Sequence, residues 1–289
     1  MLTFLAVFVV ASSLGQVQEL PPAAPGWAVL DASWSADGTK LAYTGGHVDD
    51  PHKRSPKSMF IYVVNADGSG RRKLNINGYG ASFTRDGKNL IIAHIEEGRR
   101  FLVNYDLSSD KITPLTEGPK DYFPACSPTS DTVAFNSDRG ADIQIYTMKT
   151  NGKGAKAITH GPGKAYNPIW SMDGKHIVYF RELGDQKDQI YVIDADGSHE
   201  KHISKSDQHN YYPAFLPNGD ISYTNPQAPN ERRVIVTSPD GEQKSVWPYP
   251  SFLLRWSASG KAAFIFIGKG SSALYVSDAD GKNVVKVSD

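Results

Sequence analysis

Eight histidines, one cysteine and 31 carboxylates are the side chains from which this chain could assemble a catalytic or metal centre. A transition-metal site needs three or four such groups within coordination distance. His47, His52, His94, His160 and His209 fall in or beside the longer inter-strand segments, whereas His176, His199 and His202 lie elsewhere. Nothing in that spacing brings three of them together. Cys126 is alone, so no intramolecular disulfide and no Cys-x-x-Cys motif can form. The sequence has no Gly-x-Ser-x-Gly elbow, no His-Glu-x-x-His and no Gly-x-x-x-x-Gly-Lys-Ser/Thr loop. Seven of the carboxylates sit in Asp-Gly turns, and one hairpin turn cannot supply the ~6–8 oxygens that calcium takes. The residues therefore point to no catalytic group, no metal and no cofactor.

A better case exists for binding. Three short segments read Lys120-Asp121-Tyr122-Phe123-Pro124, Lys164-Ala165-Tyr166-Asn167-Pro168 and His209-Asn210-Tyr211-Tyr212-Pro213, and Pro248 to Phe252 is comparable. Tyrosine offers a large rigid contact area with a hydroxyl for hydrogen bonding. Tyr122, Tyr166, His209, Tyr211 and Tyr212 are accordingly the candidate partner-binding residues. The same tyrosines could instead plug the interior of the fold, and sequence alone leaves both readings open.

These segments recur because the whole chain repeats. One unit starts with a bulky residue, a turn and an apolar strand, as in Trp34-Ser35-Ala36-Asp37-Gly38-Thr39-Lys40-Leu41-Ala42-Tyr43. It returns from Phe83, Cys126, Trp170, Phe215 and Trp256, with matching turns about 41 to 49 residues apart. A second half follows, as in Ile190-Tyr191-Val192-Ile193-Asp194-Ala195-Asp196-Gly197, and then a short last strand. Asp-Gly and Asn-Gly suit tight hairpins because their central residues tolerate positive φ. Four strands per unit at this period predict an all-β fold, a six-bladed β-propeller with four antiparallel strands per blade. The bulky residue at Trp34, Phe83, Cys126, Trp170, Phe215 and Trp256 then reads as a blade-to-blade packing layer. The tight turns would lie on one face, and the longer connections, with the tyrosine segments, on the other.

The pattern Trp-Ser-x-Asp-Gly-Lys-x-apolar-x-Tyr, followed by Ile-Tyr-Val-x-Asp-Ala-Asp-Gly, resembles the WD40-like repeats of the TolB-like β-propeller family. Asn136-Ser137-Asp138-Arg139-Gly140 is similar to that family's Ser-Asp-Arg-x-Gly loop. The resemblance implies a non-catalytic interaction module of the cell envelope, with a protein partner such as a peptidoglycan-associated lipoprotein. It also leaves open a carbohydrate-active propeller, such as a metal-dependent oligogalacturonate-lyase-like enzyme, and a glycan or small-ligand binder. The α/β domain that precedes the propeller of true TolB has no counterpart in the residues before the first repeat.

The apolar run Leu2 to Ala11 has the length of a signal-peptide core and is too short to span a bilayer. Residues 1–15 are expected to be a signal peptide, 16–26 a linker and 27–289 the propeller. The expected location is periplasmic or secreted, with no membrane insertion after cleavage. Lys plus Arg and Asp plus Glu are both 31, so the net charge is zero and the basic footprint of a nucleic-acid binder is missing.

Overall fold

The computed structural model describes residues 19–47, 59–118, 120–184, 187–204, 208–228, 231–268 and 271–289. The expected signal peptide, residues 1–15, lies outside the described residues, as does His52.

Strands dominate because short apolar runs alternate with turn residues that stop them. The first sheet holds β1 (Trp27–Trp34), β2 (Lys40–His47), β3 (Phe60–Asn65), β4 (Arg72–Phe83), β5 (Asn89–Glu96), β6 (Arg99–Asp106) and β7 (Ile112–Pro114) in sequence order. The second holds β8 (Asp121–Cys126), β9 (Thr132–Ser137), β10 (Gln144–Lys149) and β11 (Lys156–Ala157). The third is β12 (Lys164–Trp170), β13 (His176–Glu182), β14 (Gln189–Asp194) and β15 (Lys201–His202). The fourth is β16 (Tyr211–Phe215), β17 (Ile221–Ala228), β18 (Glu231–Thr237) and β19 (Gln243–Val246). The last is β20 (Leu253–Trp256), β21 (Ala262–Gly268), β22 (Ser271–Ser277) and β23 (Val285–Lys286). Neighbouring strands are antiparallel throughout these sheets.

The expectation of six separate four-stranded blades is corrected here. The described strands form four four-stranded sheets and one seven-stranded sheet. The cause is β4, which runs 12 residues without a break. Its first half pairs with β3 and its second half, from Gly78, with β5. Gly78 makes this continuity possible, because a Cβ there would lie 2.5 Å from the Ala93 carbonyl oxygen.

The first strand of each repeat lies innermost. β1, β4, β8, β12, β16 and β20 neighbour one another in turn, and β20 neighbours β1 again. Core packing lies between sheets. Ala125, Ala134 and Ile145 of the second sheet, with Ile158 just after β11, bury against Trp170, Ile177, Tyr179 and Ile193 of the third. The circuit closes the same way, with Trp27, Val29, Leu41 and Val64 packed against Leu253, Ile265, Leu274 and Val287. The turns also interlock. Gly174, at φ 69°, sits so close to the preceding repeat that a Cβ would meet Thr129 Oγ1 at 1.9 Å.

The bulky repeat position is the packing layer expected of it. Trp170 Nε1 donates to the Ala125 carbonyl at 2.8 Å, and Trp34 Nε1 to that of Arg255 at 3.1 Å. Trp256 Nε1 donates to Ser222 Oγ at 3.2 Å. In each case a side chain ties one repeat to the one before it around the circuit.

Candidate functional site

A recurrent bulge positions the tyrosines. In four successive inner strands the register shifts just after a tyrosine: at Tyr79, Tyr122, Tyr166 and Tyr211. The next residue takes left-handed backbone, with φ of 62° at Gly80, 51° at Phe123, 54° at Asn167 and 51° at Tyr212. An extra residue in one strand bends it and re-aims the neighbouring side chain. Bulky residues at positive φ cost ~1–3 kcal/mol of local strain, held in place by the surrounding packing. Neighbouring repeats supply that hold. The Asn167 amide donates to Asn136 Oδ1 at 3.1 Å, and the Gly80 amide to the buried Asp31 at 3.0 Å.

Tyr166 lies in the first half of β12, Glu182 closes β13, Asp188 precedes β14 and Tyr211 opens β16, so all four meet at one end of their sheets. There Tyr166, Phe180, Glu182, Gly184, Asp188, His209 and Tyr211 line a cavity of ≈ 380 Å³. Phe180 lies directly across the strand pair from Tyr166, and their rings stack with centroids 5.3 Å apart. Tyr211 meets Phe180 edge-on at 88°, and the His209 ring lies nearly parallel to it at 5.6 Å. His209 Nδ1 is 2.8 Å from Asp188 Oδ2, and Tyr211 also hydrogen-bonds Asp188. Burial, and then the adjacent Asp188 carboxylate, raise the Tyr211 hydroxyl above its ordinary range. Burial, and then Glu182, push Tyr166 up to about 12. Both phenols therefore stay protonated and act as hydrogen-bond donors to carboxylates near neutral pH. Glu182 has Lys164 Nζ at 3.5 Å, an exposed pair.

Tyr211 is shared with a second groove of ≈ 190 Å³, lined also by Tyr212, Thr224, Pro226, Arg232 and Phe252. The Arg232 guanidinium stands 5.9 Å over the Phe252 ring, giving this groove a positive wall.

Of the five sequence candidates, Tyr166, His209 and Tyr211 share the larger cavity and Tyr212 lines the smaller groove. Tyr122 lines neither; it is buried among Tyr79, Phe123 and the Phe135 cluster. Phe180, Glu182, Asp188 and Arg232 complete the site and were not among the candidates. Their signal is register, since Phe180 faces Tyr166 only once β12 and β13 are aligned.

The family's Ser-Asp-Arg-x-Gly loop is structural here. Arg139 grips the fully buried Asp121 with contacts of 3.0 and 2.8 Å and lies over Phe135 and Tyr146. On the opposite face, His199 and His176 both approach Asp194, at 2.7 and 3.4 Å. Among the described residues no three His, Cys, Asp or Glu side chains converge as a metal site. The turn aspartates are spent internally; Asp67, for example, accepts from the Ser69 amide and hydroxyl.

A closed circuit of inner strands with cavities at one end defines a β-propeller. Within that class, the chain belongs to the TolB beta propeller domain family, whose model matches residues 27–259. The chain is 37% identical over 159 residues to the uncharacterized peptidase YuxL of Bacillus subtilis (strain 168), covering 54% of this chain and 18% of that one. It is 28% identical over 163 residues to the Tol-Pal system protein TolB of Francisella tularensis subsp. mediasiatica, covering 53% and 35%. It thus matches only part of each relative's length. The solved structure of TolB from Acinetobacter baumannii superposes with a TM-score of 0.70 at 16% identity, over 88% of this chain and 65% of that one. At that identity the likeness is one of fold.

Proposed function

We propose that this propeller is a non-catalytic interaction module of the cell envelope, periplasmic or secreted, that binds a protein partner with the cavity-bearing face. The observation that carries this reading is the pair of adjoining cavities built on Tyr166, His209, Tyr211, Tyr212 and Phe252. Rigid aromatic side chains flanked by a few polar groups are the anchors that interfaces favour. The opposite face consists of minimal turns whose aspartates are already hydrogen-bonded within the turn. Membership of the TolB propeller family and the apolar Leu2 to Ala11 run support an exported protein.

The test is capture from an envelope extract on immobilised protein. Replacing His209, Tyr211 and Tyr212 together by Ala should leave the thermal transition cooperative and abolish capture. Retained capture by that variant, lost instead on changing Asp67, Asp196 and Asp280, would place the working surface on the other face.

A further inference from the structure

Cations already sit on aromatic faces throughout this protein. Lys73 covers Phe60 at 3.4 Å, Arg99 covers Phe101 at 5.4 Å, Arg181 covers Tyr191 at 5.5 Å and Arg232 covers Phe252 at 5.9 Å. The Tyr166, Phe180 and Tyr211 cluster differs. Among the described residues no Lys or Arg stands over any of these three rings. Yet this is the cluster that carries two carboxylates, Glu182 and Asp188, at the wall of an open cavity. Ring faces attract a cation through their quadrupole, and the attraction grows when the cation is partly desolvated.

We infer that the Tyr166–Tyr211 cavity receives a basic side chain, Arg or Lys, from the protein partner. This rests on the reading of the face as a partner surface and adds the chemistry of what enters it. Tyr166, Phe180, Tyr211, Glu182 and Asp188 all line this cavity, so aromatic rings and carboxylates border the same space. Asp188 also holds His209, while Glu182, among the described residues, has the equally exposed Lys164 as its cation. A guanidinium entering the cavity can replace that exposed ammonium and fork onto the carboxylate. The adjoining groove carries Arg232, so it repels a basic group and leaves the larger cavity as the place for one. The size is adequate, since ≈ 380 Å³ exceeds an arginine side chain.

The experiment titrates the full folded protein with Nα-acetylarginine amide and with its neutral isostere, Nα-acetylcitrulline amide, by NMR. The arginine compound should bind at least about fivefold more tightly. Glu182→Gln should reduce that preference to less than about twofold. Lys164→Met, which removes the competing ammonium, should tighten arginine binding by at least about twofold and remains informative if Glu182→Gln fails to fold. Equal binding of the two compounds, or a preference that neither variant moves, overturns the inference. If arginine shows no preference while the His209, Tyr211 and Tyr212 triple variant still loses capture, the partner surface stands and the basic-side-chain pocket falls. If arginine preference is intact but capture survives the triple variant, the partner's side chain is not the occupant and the inference is also overturned.

Discussion

Cys126 occupies the position that tryptophan holds in three other repeats, and it makes the same cross-repeat contact in weaker form. Its thiol lies 3.7 Å from the Ser82 carbonyl, the equivalent of the carbonyls that accept the indole N–H of Trp34 and Trp170. The residue is only half-buried, but desolvation of the sulfur pushes the thiol up to about 12. A thiol with that pKa is almost entirely protonated at neutral pH, and the thiolate is the reactive form. Cys126 should therefore react with Ellman's reagent far more slowly in the native protein than in guanidinium chloride, by at least ~100-fold at pH 8. Comparable rates in the two conditions would show that the sulfur is open to solvent and not part of the packing layer.

At the scale of elements, turns were legible in the sequence because their chemistry is local. A turn aspartate accepts hydrogen bonds from its own Ser or Thr and from the amide two residues on, as Asp37, Asp86 and Asp173 do. These bonds favour the ionised form, and they hold Asp37, Asp67, Asp86, Asp173 and Asp196 below the usual carboxylate range. Asp106, bonded by Ser108 and Ser109, is lowered to about 2. Each folded value is below the unfolded one, so the stabilisation is complete above about pH 4 and is lost as pH falls toward 2. Asp31 is raised by burial and works in the opposite sense, losing stability as pH rises. The melting temperature should accordingly fall between about pH 4 and pH 2, and replacing Asp67, Asp106 and Asp196 by Asn should flatten that slope. Thermal melts followed by circular dichroism decide it, and an unchanged slope would assign acid sensitivity to other groups. What the sequence did not disclose depends on distant partners. The merging of two repeats through β4 turns on Gly78 meeting the Ala93 carbonyl, a contact 15 residues apart that no turn signal marks. The site divides in the same manner. Tyr166, His209, Tyr211 and Tyr212 stood out by composition, whereas Glu182 and Asp188 join them only through the β13 and β14 register. Tyr122 shares the same local pattern but is taken into the core by Tyr79 and Phe123.

At the scale of the whole molecule, the circuit among the described residues is held by contacts between the first and last sheets and not by a strand shared between them. β23 is the outer edge of the last sheet, pairing Tyr275 with Lys286 and Val276 with Val285. Behind it, Val284 and Val287 are buried, and the Ser288 hydroxyl accepts from the Leu274 amide at 2.8 Å. The same segment reaches the start of the chain. Asp289 pairs with Arg71, just before β4, at 2.5 Å, and Lys286 Nζ donates to the Pro22 carbonyl at 3.0 Å. The turn at Gly68 rests on the Lys286 carbonyl. Residues 282–289 are thus a seam between the two ends of the circuit. Removing them forfeits the burial of Val284 and Val287, worth roughly 1.5–3 kcal/mol each, uncovers the surface they pack on and leaves the β22 edge unpaired. For a protein of this size ~1 kcal/mol corresponds to about 2–4 °C in melting temperature. The truncated protein should therefore melt at least about 6 °C lower, and because neighbouring sheets share their cores it should do so in one transition. An unchanged melting temperature would mean that closure resides in β1 and β22 alone, through the bonds of Ser271 and Ser272 to the Gly26 and Val29 amides.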